Sequence, residues 1–376
     1  MAIPANKRIF YACQAVVIEP FGTESAQSEV MHGLQSVGVT TNFNLEQAFE
    51  LGMIQIYENI EGLPEVEVTM EKVLDGYPLI YTSATRDAGS AATASTRSLV
   101  NRSAERCNIY LGIYDSTQDV VGDGTGIQAS VKVGGAYVNS ISYTIPVDGN
   151  CTESVTFVAN DKLWSTSNQH AKLANATVQA VFDSDTATNA GDDVPKNLQS
   201  GSYKGGVQRR ENVKLASTIV PRSVMKASDD GHSASFSQAA GNNSGKIAHI
   251  QNISISTDFG REDILELGSK VPYFRAANFP IEVTCEIECI ATEGDWVNAY
   301  EAGDPSLTNA DAGNNTTNET ILIVLEDGTT FDLGTKNRLS SVSYGGGDAG
   351  GGNATMTFSY TTFNQLDITP PNGSDN

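Results

Sequence analysis

The sequence predicts a mainly β protein, built as two tandem homologous antiparallel β-sandwich or barrel-like domains with one short helix each. Three observations carry this. Several short runs alternate strictly between apolar and polar residues; glycine occurs 35 times, as turn punctuation; and a long segment recurs, in order, further along the chain.

The first apolar patch, in MAIPANKRIFYACQAVVIEPFG, follows a basic opening, is interrupted by Gln14 and ends at Glu19. No small-residue cleavage site follows it, so it is expected to be a first strand and not a secretion signal. QSVGVTTNF (35–43) alternates as a strand, and LEQAFELG (45–52), stopped by glycine, is expected to be a short helix. In EVEVTMEK (65–72), Val66, Val68 and Met70 fall on one face, with Glu65, Glu67, Thr69 and Glu71 on the other. That is a strand with one wet side. Residues 77–105 contain few large apolar residues after Tyr81 and are expected to be a long surface loop. VVGDGTGIQASVKVGG (120–135) reads as an extra hairpin, and SISYTIPV (140–147) as a further strand.

A Gly- and Ser-rich stretch, NLQSGSYKGG, marks a linker over 171–204, between domains at 1–170 and 205–376. The second domain repeats the pattern. QNISISTDF (251–259), IEVTCEIEC (281–289) and ATMTFSYTTF (354–363) alternate as strands. REDILELG (261–268) is expected to be the second short helix, with DWVNAYEAG (295–303) a further candidate.

Residues 34–64 and 250–280 match at a constant spacing of 216, with nine identities. These are Gln35/Gln251, Thr41/Thr257, Phe43/Phe259, Glu46/Glu262, Glu50/Glu266, Leu51/Leu267, Gly52/Gly268, Tyr57/Tyr273 and Pro64/Pro280. Further blocks follow in the same order. Glu67–Glu71 matches Glu282–Glu286, Ser140–Tyr143 matches Ser341–Tyr344, and Thr156-Phe157 matches Thr357-Phe358. A tandem duplication of one domain explains this ordering.

No catalytic, cofactor or metal constellation emerges. GNNSGKI (241–247) is a residue short of a phosphate-binding loop and lacks the hydroxyl residue that holds magnesium. Cys285 and Cys289 share a strand face with Ile287 between them and have no partner pair, so core packing is expected. The five cysteines are too scattered for a disulfide framework. Paired carboxylates lie on a wet strand face with no apolar pocket to raise one of them. Acids outnumber bases 45 to 23, giving a net charge of −22. That argues against phosphate-gripping nucleic-acid binding and against docking on an anionic membrane. The chain is read as a non-enzyme without cofactors.

GREDILELGSKVPYFRAANFPIEVTCEIEC and its partner VTTNFNLEQAFELGMIQIYENIEGLPEVEVTMEK resemble the core of phage tail tube proteins, including those with two tube domains fused in one chain. The matching covers roughly two thirds of the chain and is a packing pattern, not a chemical signature. The resemblance implies rings stacked into a hollow tube for genome delivery, each ring a trimer with pseudo-sixfold symmetry. It implies contact with other tail proteins (terminator, tape measure, tail tip or baseplate, sheath), assembly in the host cytoplasm and residence in the virion tail. DNA would pass through without specific binding, and no membrane is involved.

Charge placement bears on this. Between Ile9 and Met70 there are nine acids and no Lys or Arg; between Ala276 and Thr335 there are twelve acids and again no base. Glu65, Glu67, Glu71, Glu282, Glu286 and Glu288 are the expected lumen-facing acids, since a DNA conduit should repel phosphates. The competing reading is an ordinary solvated face or a high-salt host. Bases gather in 196–226, where Lys204, Arg209, Arg210 and Lys214 are expected to dock on a neighbouring subunit, against the reading of a solvated connector. The loop at 77–105 and its counterpart at 290–318 are expected at inter-ring contacts. The alternatives are a two-domain β-sandwich binding or adhesion module, or another virion ring protein: a tail terminator, baseplate or capsid decoration protein. The binding module is disfavoured by 7% aromatic content, because sugar platforms need exposed rings.

Overall fold

The computed structural model describes residues 9, 11–21, 29–86, 98–114, 127–166, 206–214, 217–221, 223–224, 249–292, 294, 297, 318–347 and 352–371. Its architecture is dominated by one antiparallel run of eight strands within a 12-stranded sheet. In spatial order these are β3 (Leu34–Asn42), β6 (Glu65–Val73), β9 (Thr152–Ala159), β8 (Ala129–Pro146), β11 (Ile250–Asp258), β14 (Glu282–Ile290), β18 (Thr355–Phe363) and β17 (Arg338–Gly345). The first four come from the N-terminal half and the last four from the C-terminal half. The two sets meet where β8 pairs with β11.

The long strand β8 joins this run to the remaining four strands of the sheet. Its second half carries the ladder just described. Its first half pairs with β7 (Arg106–Ile113) on one side and β10 (Asp161–Thr166) on the other. Beyond β7 lie β1 (Gln14–Pro20) and β2 (Glu29–Val30). The first apolar patch thus forms a strand, and part of the Gly-rich stretch forms the β7–β8 hairpin. A separate three-stranded sheet, β15 (Leu322–Val324), β16 (Thr330–Asp332) and β19 (Asp367–Thr369), belongs to the C-terminal half.

The alternation read in the sequence sets the core. Val66, Val68 and Met70 of β6 and Val283, Cys285 and Ile287 of β14 face one continuous apolar interior, together with Phe157, Phe331, Phe358 and Tyr360. The five cysteines are buried and free. Burial pushes the Cys285 thiol up to about 12 and the Cys289 thiol up to about 11, which suits packing and not chemistry.

Two expectations fail here. LEQAFELG and REDILELG are not helices. They form β4 (Leu45–Phe49), paired with β5 (Ile56–Glu61), and β12 (Glu262–Ile264), paired with β13 (Phe274–Ala276). The glycine that resembled a helix stop is a turn residue: Gly52 has φ +94° and Gly268 φ +90°. Met53 N donates to Glu50 O and Ser269 N to Glu266 O across those turns. Positive φ at the third turn position demands glycine and folds the chain back as a hairpin. DWVNAYEAG lies outside the described residues apart from Val297.

The helices occur elsewhere. Residues 77–105, expected to be a surface loop, contain α1 (Ile80–Ala84), buried throughout, and α2 (Leu99–Arg102). The reason is a distant carboxylate. Glu153 on β9 accepts from Ile80 N at 2.7 Å, Tyr81 N at 3.1 Å and the Tyr143 hydroxyl at 2.8 Å. It satisfies the free amides at the start of α1, so this five-residue helix is held in the interior.

Asp327, in the β15–β16 turn, accepts from Thr329 N and from its hydroxyl, each at 2.9 Å. Burial raises its carboxyl from 3.8 to about 6. A folded value above the unfolded one means the folded state holds a proton that the unfolded chain has lost. This group's contribution is therefore fully present below pH 4 and is lost as pH rises to 6, a swing of about 3 kcal/mol. Asp327→Asn is expected to flatten that part of the urea-denaturation profile; an unchanged slope between pH 4 and 6 would refute the assignment.

Candidate functional site

Opposite the core, the eight-stranded run presents a face of carboxylates and hydroxyls. Glu65 and Glu67 on β6 are exposed, as is Glu71; Glu282 and Glu286 on β14 are exposed and Glu288 is half-buried. The ladders bring them onto this one face beside Ser154, Ser142, Ser256, Thr284, Ser359 and Ser341. Among the described strand residues of this face the single base is Arg338, at the start of β17. The six expected acids thus share one face of the sheet, in two groups on β6 and β14 with three strands between them, and they make the field of that face negative.

Among the described residues the two ends of this run of strands are open edges: β3 has no neighbour beyond β6, and β17 none beyond β18. Long unpaired edges normally carry proline, lysine or a covering segment. β3 (LQSVGVTTN) has none of the guarding residues, and β17 (RLSSVSYG) has one arginine at its start. The edges also expose residues whose counterparts at the β8–β11 joint are covered. Tyr143 is fully buried, whereas Tyr344 is 55% exposed; Phe259 is 1% exposed, whereas Phe43 is 62% exposed.

Corresponding strands share fine detail. Gln35 bulges out of the β3–β6 ladder and Gln251 out of the β11–β14 ladder. Each side chain donates back two residues, to Gly33 O at 3.2 Å and to His249 O at 3.4 Å. Asn42 Oδ1 accepts from Asn44 N at 3.1 Å, and Asp258 Oδ1 accepts from Gly260 N at 2.8 Å; Asn44 and Gly260 both have positive φ. These Asx turns launch the two hairpins. The ladders also correct two blocks of the sequence match. Val39 faces Val68 and Ile255 faces Cys285, so Val68 corresponds to Cys285 and not Val283. By the same reasoning Phe157, opposite Val138, corresponds to Tyr360, opposite Leu339. Each slip is two residues, which leaves every side chain on its face.

Hairpins β4–β5 and β12–β13 carry much of the exposed apolar surface: Leu45, Phe49, Leu51, Ile54 and Tyr57 in the first, and Leu265, Leu267 and Tyr273 in the second. Sequence reasoning missed this surface because it assigned these segments to helices. The base of the second hairpin is seated on the N-terminal half, with Phe274 edge-on to Tyr137 at 6.1 Å.

Of the expected docking bases, Lys204 lies outside the described residues. Arg209 Nε donates to Asn150 Oδ1 at 3.0 Å, Arg210 lies 4.0 Å from Asp148, and Lys214 N donates to Val324 O at 2.8 Å. These contacts are within the chain and tie the segment after 205 to both halves. Among the described residues no group of His, Cys, Asp or Glu could hold a metal ion, and no helix is long and apolar enough to cross a membrane.

No family model and no curated protein matches the chain. Solved structures do resemble it. The SPP1 tail tube matches at 12% identity and TM-score 0.31, covering 50% of this chain and 98% of that one. The sheath–tube complex of an extracellular contractile injection system, PVC, matches at 10% identity and TM-score 0.30, covering 44% and 99%. The tube-terminating cap of the anti-feeding prophage matches at 14% identity and TM-score 0.29, covering 44% and 99%.

Proposed function

We propose that this protein is a tail tube subunit whose chains join head to tail into rings that stack into a conduit for a viral genome. The observation that carries the reading is the sheet itself. Its strand order is one four-stranded unit, β3-β6-β9-β8, followed edge to edge by a corresponding unit, β11-β14-β18-β17. The chain is a tandem duplication, with domains at 1–170 and 205–376, and its internal joint is the pattern for the joint between chains. A head-to-tail contact between different surfaces repeats until it closes, which yields a ring or a filament and not a two-fold dimer. Three chains supply six units and a pseudo-sixfold ring. Closure also removes the two unguarded edges.

The carboxylate and hydroxyl face lines the channel. Negative charge and a near absence of cationic side chains keep a phosphate backbone from sticking as it slides. The exposed hairpins, with the exposed heads of Arg209 and Arg210, meet neighbouring subunits and rings. The terminator, tape measure, tip or baseplate, and sheath where the tail is contractile, are the other partners. Assembly takes place in the host cytoplasm and the product resides in the virion tail.

Negative-stain electron microscopy of the purified chain over a concentration series tests this. Hollow striated tubes, or rings whose averages show six lobes, are expected, and sections through them report which face lines the channel. Single two-lobed particles at every concentration, even with tail-tip extract added, would contradict the reading.

A further inference from the structure

The joint within the chain is closed above its ladder by three side chains. Arg261 donates from Nε to Val138 O and from Nη2 to Ser103 O, both at 2.7 Å, and its guanidinium lies 4.9 Å from the Tyr137 ring. Phe274 packs edge-on against the same ring. Ladder registers identify the counterparts at the free ends. In β12–β13, Ile264 faces Phe274; in β4–β5, Ala48 faces Glu58. Glu58 therefore stands where Phe274 does, and Leu45 where Arg261 does. On the other side, the bulge between Val138 and Ser140 recurs between Leu339 and Ser341, so Arg338 stands where Tyr137 does.

The cation has changed sides, and an acid has taken the place of its aromatic neighbour. We propose that Arg338 of one chain pairs with Glu58 of the next, and that this ion pair, which has no equivalent at the joint within the chain, selects the contact between chains. The inference rests on the head-to-tail ring. Both side chains are exposed in the single chain. Arg338 Nε already donates to Asn318 Oδ1 at 3.1 Å, and Glu58 brings to the remaining guanidinium donors the carboxylate they lack. An exchanged joint, with β17 in the place of β8 against β11, would set Arg338 beside Arg261 and Phe274, with like charges and with the neighbouring carboxylate, Asp263, already paired to Arg275 at 2.6 Å. Specificity then comes from repulsion in the wrong joint as well as attraction in the right one.

The test is a charge swap in the full chain. Glu58→Arg and Arg338→Glu are each expected to raise the concentration needed for assembly by about tenfold or more, and the double variant to restore it to within about threefold of the parent. Unchanged thermal unfolding below the assembly threshold keeps folding defects out of the comparison. Mixed in equal amounts, the two single variants should rescue each other only as open, alternating chains, because an odd ring cannot alternate. If the parent forms rings and both single variants assemble as readily, or the double variant stays as defective as either, the ion pair is wrong and the ring reading survives. A parent that never forms rings removes both.

Discussion

Replacing Tyr344 by lysine is expected to leave each chain folded and to abolish assembly at concentrations where the parent assembles. Tyr344 lies on the core side of the open edge strand β17, where only half of it is covered. Its counterpart Tyr143 is fully buried and packs against Phe331 at 4.6 Å, because β11 continues the sheet beside it. If the next chain's β3 continues the sheet beside β17, Tyr344 becomes covered in the same way. Burying an unpaired ammonium there costs about 3 kcal/mol or more, at least a hundredfold in assembly. On the free chain the substitution is a surface change of about 0.5 kcal/mol or less. Sedimentation velocity and urea unfolding separate the two effects. Normal assembly of the lysine variant would show that this edge stays open.

Glu153→Ala acts on the opposite quantity. One buried carboxylate serves three donors from two other elements: the first amides of α1 and the Tyr143 hydroxyl. Removing it strands all three in the interior, and a loss of about 3–5 kcal/mol is expected, enough to unfold a marginal chain. Burial raises the Glu153 carboxyl above its usual range, so the charged form is itself held at a cost. Glu153→Gln keeps one acceptor and sheds that cost, and should fall between alanine and the parent. Chemical denaturation that finds the alanine variant within about 1 kcal/mol of the parent would refute the assigned role.

Strand alternation was legible because a period of two survives any local misalignment. Val66, Val68 and Met70 are assigned to the interior whether the repeat is read with or without the two-residue slip. The same property hid the slip, which only cross-strand partners such as Val39–Val68 and Ile255–Cys285 reveal. The hairpins were illegible for a different reason. Residues 45–52 present exposed or half-exposed side chains on both faces, so no buried stripe distinguishes a strand from a helix, and Leu, Glu, Gln and Ala favour the helix. The helix α1 was missed because its stability comes from Glu153, 72 positions beyond Tyr81 in the chain. The acid face was found by counting charges, whereas the open edges needed strand order. Glu58 and Arg338 carried no signal in the shared residues of the repeat. They stand out only as positions where corresponding sites differ in charge.

The measurement that bears most directly on the head-to-tail closure is a cysteine cross-link placed by the internal joint. Ser142 faces Ser256 across β8 and β11, and the counterparts of this pair are Ser343 on β17 and Thr40 on β3. In the Thr40→Cys, Ser343→Cys double variant, oxidation of assembled particles should join chains into a ladder that ends at three on a denaturing gel. Neither single variant should give the ladder. Assembled particles that stay uncross-linked, or a ladder that runs past three chains, would contradict a three-chain ring closed through β17 and β3.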